Sequence, residues 1–181
     1  MKTLYGEITD NAFNAMKNIK LLICDIDGVF SDGRIYLGND GEELKAFHTK
    51  DGYGIKALGA SGVDVAVITG RTSNIVATRM SALHVKYIVQ GEENKLPALK
   101  KMVKKLNLSL DEIAYIGDDM PDHECINFVG LGIAVQDAHP SILSIANYTT
   151  FNRGGFGAVR EICDLIMLSQ NTLANASGAS I

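Results

Sequence analysis

From about residue 19 to residue 168, short apolar runs alternate with longer stretches of mixed polarity. Leu21–Cys24, Val63–Ile68, Tyr87–Val89, Ile113–Ile116 and Leu131–Val135 are mostly apolar and are bounded by Gly, Asp or Asn. Such runs fit strands covered on both faces. Between them, Gly52–Ala60, Ser73–Leu83, Lys95–Leu106 and Pro121–Phe128 have helical length and spacing, and Phe156–Leu168 closes the series as a final helix. Strand–helix alternation predicts a parallel central sheet with helices on both faces and right-handed crossovers. The expected fold is therefore a three-layer α/β/α Rossmann-like arrangement.

One segment departs from the alternation. Gly33–Leu37, the turn Gly38-Asn39-Asp40-Gly41 and Glu42–Phe47 read as a β-hairpin directly after the first strand. No repeat or low-complexity linker divides the chain, so 1–181 reads as a single domain with a core at about 19–168 and a hairpin at about 33–47. Residues 1–18 read as a lead-in helix or arm. Residues 169–181, rich in Ser, Ala, Asn and Gly, are expected to be flexible.

Composition narrows the partners. The 181 residues are 46% hydrophobic and 21% charged, with a net charge of −4 spread along the chain. This balance gives no electrostatic case for nucleic acid or for an anionic membrane. No apolar stretch approaches the roughly 20 residues of a membrane span, and the N-terminus lacks a secretory apolar region, so a cytoplasmic protein is expected. Cys24, Cys125 and Cys163 are far apart with no CxxC pair, which suggests neither a disulfide framework nor a zinc site.

Candidate chemistry gathers where the strands end. Ligands of an open parallel sheet bind at the carboxyl ends of its strands. There the chain places Asp25-Ile26-Asp27-Gly28-Val29, then Thr69-Gly70-Arg71, then Gly91 with Lys95 at a helix start, then Gly117-Asp118-Asp119. Carboxylates packed together resist ionisation unless a cation neutralises them. Oxygen ligands without a His or Cys cluster suit a hard cation such as Mg²⁺. Taken singly these residues are ordinary: Asp is common in turns, Thr69 is a possible helix cap and Lys is mostly exposed. The Asp118–Asp122 run also suits helix capping. His48 reads as structural, and His84, His123 and His139 show no metal-ligand spacing. Their convergence at strand ends is what points to a site.

The motifs at 25–29, 69, 95 and 117–119 occur in the order seen in haloacid-dehalogenase phosphatases, which the chain resembles. The resemblance implies that Asp25 is a nucleophile that becomes phosphorylated and that Asp27 is the acid and then the base. Mg²⁺ would be held by Asp25, the backbone carbonyl of Asp27 and Asp118. Thr69 and Lys95 would hold the phosphoryl group, and Asp119 and Asp122 would orient groups around the metal. A second aspartate in Asp-x-Asp is the pattern of the phosphatase and phosphomutase branches. The hairpin is too small to shield a phospho-enzyme from water, so hydrolysis is expected over phosphomutase chemistry. A non-catalytic module of this fold should lack one of the key residues, and all are present.

Stretch 25–29 together with 47–55 and 153–161 resembles the phosphatases of 3-deoxy-D-manno-octulosonate (KDO) 8-phosphate, a likeness that runs over about 19–168. That resemblance implies a sugar-acid phosphate substrate in lipopolysaccharide inner-core synthesis, with nine-carbon sugar-acid phosphates as the alternative. It implies that Thr69, Gly70, Arg71, Arg79 and Lys95 lie near the substrate's phosphate or carboxylate. It also implies a homotetramer with active sites near subunit interfaces, and a Gly-rich segment at Arg153–Arg160 that reaches an active site.

Overall fold

The computed structural model describes residues 1–178. After an arm closed by a Lys2–Glu7 bridge comes α1 (Asp10–Met16), whose first turn is capped by the Thr9 side chain accepting from the Ala12 amide. The chain continues through β1 (Leu21–Cys24), the hairpin strands β2 (Tyr36–Leu37) and β3 (Glu43–Leu44), α2 (Thr49–Ala60), β4 (Asp64–Ile68), α3 (Asn74–Ala82), β5 (Tyr87–Val89) and α4 (Lys95–Leu106). Then follow β6 (Ile113–Gly117), α5 (His123–Phe128), β7 (Leu131–Ala134), α6 (Pro140–Leu143), β8 (Tyr148–Thr149) and α7 (Ala158–Ser169).

Six parallel strands form the central sheet in the order β5-β4-β1-β6-β7-β8. β1 is hydrogen-bonded on both sides, with Leu21 opposite Asp64 of β4 and Ile113 of β6. All four of its residues are buried, as its continuous apolar run requires. The chain leaves β1 toward β4 and β5, then returns to place β6 on the other flank. This reversal makes the β1/β6 crevice the topological switch point, where open parallel sheets bind ligands.

The anticipated strands and long helices are present, with ends moved by up to three residues, the largest shift being the start of α2 at Thr49 instead of Gly52. Pro121–Phe128 divides: Met120–Asp122 is a 3₁₀ turn, and the α-helix starts at His123. The Asp119 side chain caps that turn by accepting from the Met120 amide. β8 and α6, of two and four residues, are too short to leave a periodic pattern. The hairpin has two residues per strand, fewer than its pattern suggests, and its strands pair only with each other. His48 caps α2 by accepting from the Lys50 amide at 3.1 Å. Residues 170–178 lie along the core, with the Tyr53 hydroxyl 3.4 Å from the Ala176 carbonyl; the expectation of flexibility at 179–181 falls outside the described residues.

α7 is buried over most of its length and packs closely on α2. A Cβ on Gly54 would come within 3.0 Å of the Arg160 side chain, so the small residue permits this approach. Asp51, fully buried in α2, accepts the Arg160 amide at 2.7 Å and so caps α7, whose own cap residue is Gly157. On α7, the buried Glu161 accepts from the Tyr148 hydroxyl, the Phe151 amide and both nitrogens of Asn152, at 2.6–3.0 Å. This fixes the strand-to-helix loop that ends in Arg153-Gly154-Gly155.

That loop braces the turn after β1 within the same chain. The Gly155 amide donates to Val29 O at 2.8 Å, and the Gly154 amide donates to Asp137 Oδ1 at 2.9 Å. A Cβ on Gly154 would lie 1.7 Å from Gly28 O, so two backbone segments touch here with no side chain between them. Gly154→Ala is therefore expected to cost stability at or above the top of the roughly 1–3 kcal/mol range for overpacking, read from denaturant midpoints at unchanged slope. An unchanged midpoint would show that the brace is not tight.

Candidate active site

At the switch point, the end of β1 supplies Asp25 and the end of β6 supplies Asp118. A cavity of about 490 Å³ opens there, lined by Asp25, Asp27, Gly33, Thr69, Gly70, Arg71, Glu93, Lys95, Asp118, Asp119, Pro121 and Asp122. Other cavities on the molecule reach about 450–600 Å³, so size does not distinguish this one. Its concentration of carboxylates does. Of the residues expected to act in catalysis, metal binding or substrate binding, Arg79 alone is not in this lining; its guanidinium lies against Gly52 of α2.

The centre is a buried charge network. Lys95, at the first position of α4, puts Nζ 2.9 Å from Asp25 Oδ1 and 2.7 Å from Asp122 Oδ1. The Tyr115 hydroxyl donates to the same Asp122 oxygen at 2.6 Å, and the amides of Asp118 and Asp119 donate to Asp122 Oδ2 at 3.0 and 3.3 Å. Asp122 is thus occupied on both oxygens. It holds Lys95 and the β6 loop in place, which makes it a poor metal ligand. Gly28 (φ +96°) lets the Asp118 carboxylate press against the turn after β1, since a Cβ there would sit 2.0 Å from Asp118 Oδ2.

Burial, followed by repulsion from Asp122, raises Asp25 to about 7 despite the opposing pull of Lys95. Asp118 is raised to about 8 by burial, then by Asp25 and Asp122. For Lys95, burial works against the charge, but Asp25 and Asp122 together outweigh it and hold its pKa above the usual value.

These residues fit a divalent cation. Ligand oxygens of Asp25, Asp118 and Asp122 lie within 4.8 Å of one another. Fully ionised, they exceed the single Lys95 ammonium by two negative charges, the charge of one Mg²⁺. Asp25 Oδ1 is buried, with the Lys95 ammonium at 2.9 Å as its close cationic neighbour, and one ammonium does not balance the three carboxylates. With Asp122 saturated, Asp25 and Asp118 are the side chains left to bind the ion.

Two participants were not legible in the sequence. Tyr115 lies in an apolar strand; its one signal was that a buried phenol needs a partner. Lys45 follows β3, where a lysine reads as ordinary edge protection. Its side chain is only 3% exposed, and its ammonium is in close contact with Asp27 Oδ1. A second tie from the hairpin joins Glu43 Oε2 to Arg71 Nη2 at 2.7 Å.

A family model for haloacid dehalogenase-like hydrolases matches residues 73–159. The chain is 49% identical to the KDO 8-phosphate phosphatase of Yersinia pestis over 99% of its length and 96% of that protein. This chain belongs to the KDO 8-phosphate phosphatase family. The crystal structure of the Yersinia pestis family member superposes with a TM-score of 0.97 at 49% identity, covering 100% of this chain and 98% of that one. Another KDO 8-phosphate phosphatase, from Moraxella catarrhalis, was crystallised with magnesium ion, phosphate ion and KDO. It is 41% identical with a TM-score of 0.91, covering 93% of this chain and 97% of that one. Among the described residues, no helix is long and apolar enough to cross a membrane.

The raised carboxyl groups predict how pH and metal act together. A carboxyl group raised by the fold contributes stability that is fully present below its unfolded pKa and is lost as pH climbs through its folded pKa. For Asp25 and Asp118 that window runs from the ordinary 3.8 to about 7 and 8. The metal-free protein should therefore weaken across this window, and Mg²⁺, which binds the ionised forms, should restore it. At a hundredfold excess over Kd the gain is about 2.7 kcal/mol, or roughly 5–11 °C. Melting curves with Mg²⁺ and with chelator should differ little at pH 5 and by that amount at pH 8. An equal Mg²⁺ effect at both would overturn the metal assignment.

Proposed function

We infer that this chain is a magnesium-dependent phosphomonoesterase that hydrolyses KDO 8-phosphate to KDO and inorganic phosphate through an aspartyl-phosphate on Asp25. The carrying observation is the Asp25–Lys95–Asp118 cluster at the switch point of a chain 49% identical to such a phosphatase along nearly its whole length. The substrate is a small sugar-acid phosphate.

The site residues take the following roles in this reading. Asp25 forms a bond to phosphorus as the ester oxygen leaves, and Asp27 delivers a proton to that oxygen. Water then attacks the aspartyl-phosphate and yields its proton to Asp27, which frees phosphate and regenerates Asp25. Lys95 and the Thr69 hydroxyl, buried at the bottom of the cavity, hold the phosphoryl oxygens as charge shifts onto them, and Gly70 lines the same wall. Mg²⁺, when bound, screens the phosphate charge from Asp25 and orients the phosphoryl group. Asp25, Asp118 and the Asp27 carbonyl are the ligands we assign. Asp122 and Asp119 hold the β6 loop around them. Arg71, on the cavity rim, suits the substrate carboxylate because guanidinium offers a two-pronged contact.

We place the whole chain, 1–181, in one hydrolase unit acting in lipopolysaccharide inner-core synthesis, and we place it in the cytoplasm, where free thiols such as Cys24, Cys125 and Cys163 persist. A homotetramer with active sites near subunit interfaces is the assembly we propose. The hairpin supports it by exposing Ile35, Leu37 and Leu44 by 53%, 71% and 57%.

Phosphate release from KDO 8-phosphate, nine-carbon sugar-acid 9-phosphates and hexose phosphates, with Mg²⁺ and with chelator, tests this reading. The expected result is a strong preference for the eight-carbon acid, abolished by chelator and reduced roughly a thousandfold or more in Asp25→Asn. Preference for a nine-carbon acid would change the substrate and keep the mechanism. Full activity in Asp25→Asn would end the nucleophile assignment.

A further inference from the structure

Lysine is among the residues least often buried, and when buried it is paired. Lys45 is such a case in an otherwise open hairpin. Leu37 and Leu44 beside it are 71% and 57% exposed, whereas its own side chain is 3% exposed. The inward turn follows from strand alternation: Glu43 and Lys45, two residues apart, share one face, and Leu44 between them points away. That face meets the cavity. Glu43 is tied to Arg71 at 2.7 Å, and the Lys45 ammonium reaches Asp27 Oδ1.

We propose that Lys45 is a positioning residue for the reaction, holding the Asp27 carboxyl group in the orientation from which it exchanges a proton with the leaving oxygen. The proposal rests on the acid/base assignment of Asp27 made above. Asp27 sits on the turn after β1, and its side chain is 25% exposed, so packing alone does not fix its rotamer. Lys45 Nζ and, at 3.5 Å, Ser31 Oγ both engage Oδ1. Oδ2 is left to face the leaving group. The Lys45 ammonium is the cation that the fold places directly on the Asp27 carboxylate. The hairpin thus contributes to the chemistry, because the catalytic acid is held from it.

Leaving-group dependence tests this. A sugar alkoxide needs a proton to depart, whereas 4-nitrophenolate departs without one. Loss of proton donation should therefore be felt on KDO 8-phosphate and little on 4-nitrophenyl phosphate. The quantity to measure is kcat/KM, which reports formation of the phospho-enzyme and excludes its later hydrolysis. For Lys45→Met we expect a fall of about a hundredfold on KDO 8-phosphate, the scale of a misplaced catalytic group, and less than about fivefold on the aryl ester. Lys45→Arg, which keeps the charge and reach, should recover most of the loss, and melting curves of both variants show whether each is folded. An equal loss on both substrates, or no loss on either, would overturn the proposal. Asp27→Asn run alongside separates the two layers of the argument. If it shows the selective loss and Lys45→Met does not, Lys45 has no positioning role. If Asp27→Asn itself shows no selectivity, the acid/base assignment fails and the proposal fails with it.

Discussion

The ammonium of Lys95, buried between Asp25 and Asp122, is the contact around which the site is arranged. A buried lysine is tolerated only where carboxylates surround it, and buried carboxylates are tolerated only where cations do. Lys95 meets half of this requirement. Asp122 also collects the Tyr115 hydroxyl and two backbone amides, so it keeps Lys95 directed at Asp25. The negative charge left on Asp25 and Asp118 is what a divalent cation neutralises. Burial and mutual repulsion raise both carboxyl groups, Asp25 to about 7 and Asp118 to about 8.

Holding such a cluster requires a stiff backbone, and the fold supplies it from behind. The turn after β1 is flanked by Asp118 on one side, against Gly28, and by the Gly154–Gly155 segment on the other. That segment is fixed by Glu161 of α7, and α7 is capped by Asp51 of α2. Two buried carboxylates, Asp51 and Glu161, thereby help determine where the turn after β1 lies. The Gly-rich stretch near 153–160 serves its own chain as a brace on the turn after β1.

The hairpin of β2 and β3 meets the carboxylate-rich site through its own charged side chains. It is short and exposed, and two ion pairs hold it to the catalytic face. One of these is nearly sealed from solvent and the other half open. The open pair joins Glu43 to Arg71, whose side chain lines the cavity.

The linear chain determined the layers, the parallel sheet and the set of motif residues, because continuous apolar runs, helical spacing and strand-end carboxylates are local patterns. Asp25, Asp27, Thr69, Lys95 and Asp118 could be read from their places after the strands. Tertiary structure decided what no local pattern encodes. It divided the roles of the acids, since Asp118 and Asp122 look alike in the run Asp118-Asp119-Met120-Pro121-Asp122, yet only Asp122 has both oxygens filled by internal donors. It left Arg79 packed on Gly52 outside the cavity lining, although Arg71 and Arg79 looked equivalent in the sequence. It also brought Lys45 across 18 residues of chain onto Asp27, a contact that depends on how the hairpin folds over the sheet edge. Charge networks form between elements distant in sequence, and only packing sets which donors reach which carboxylates.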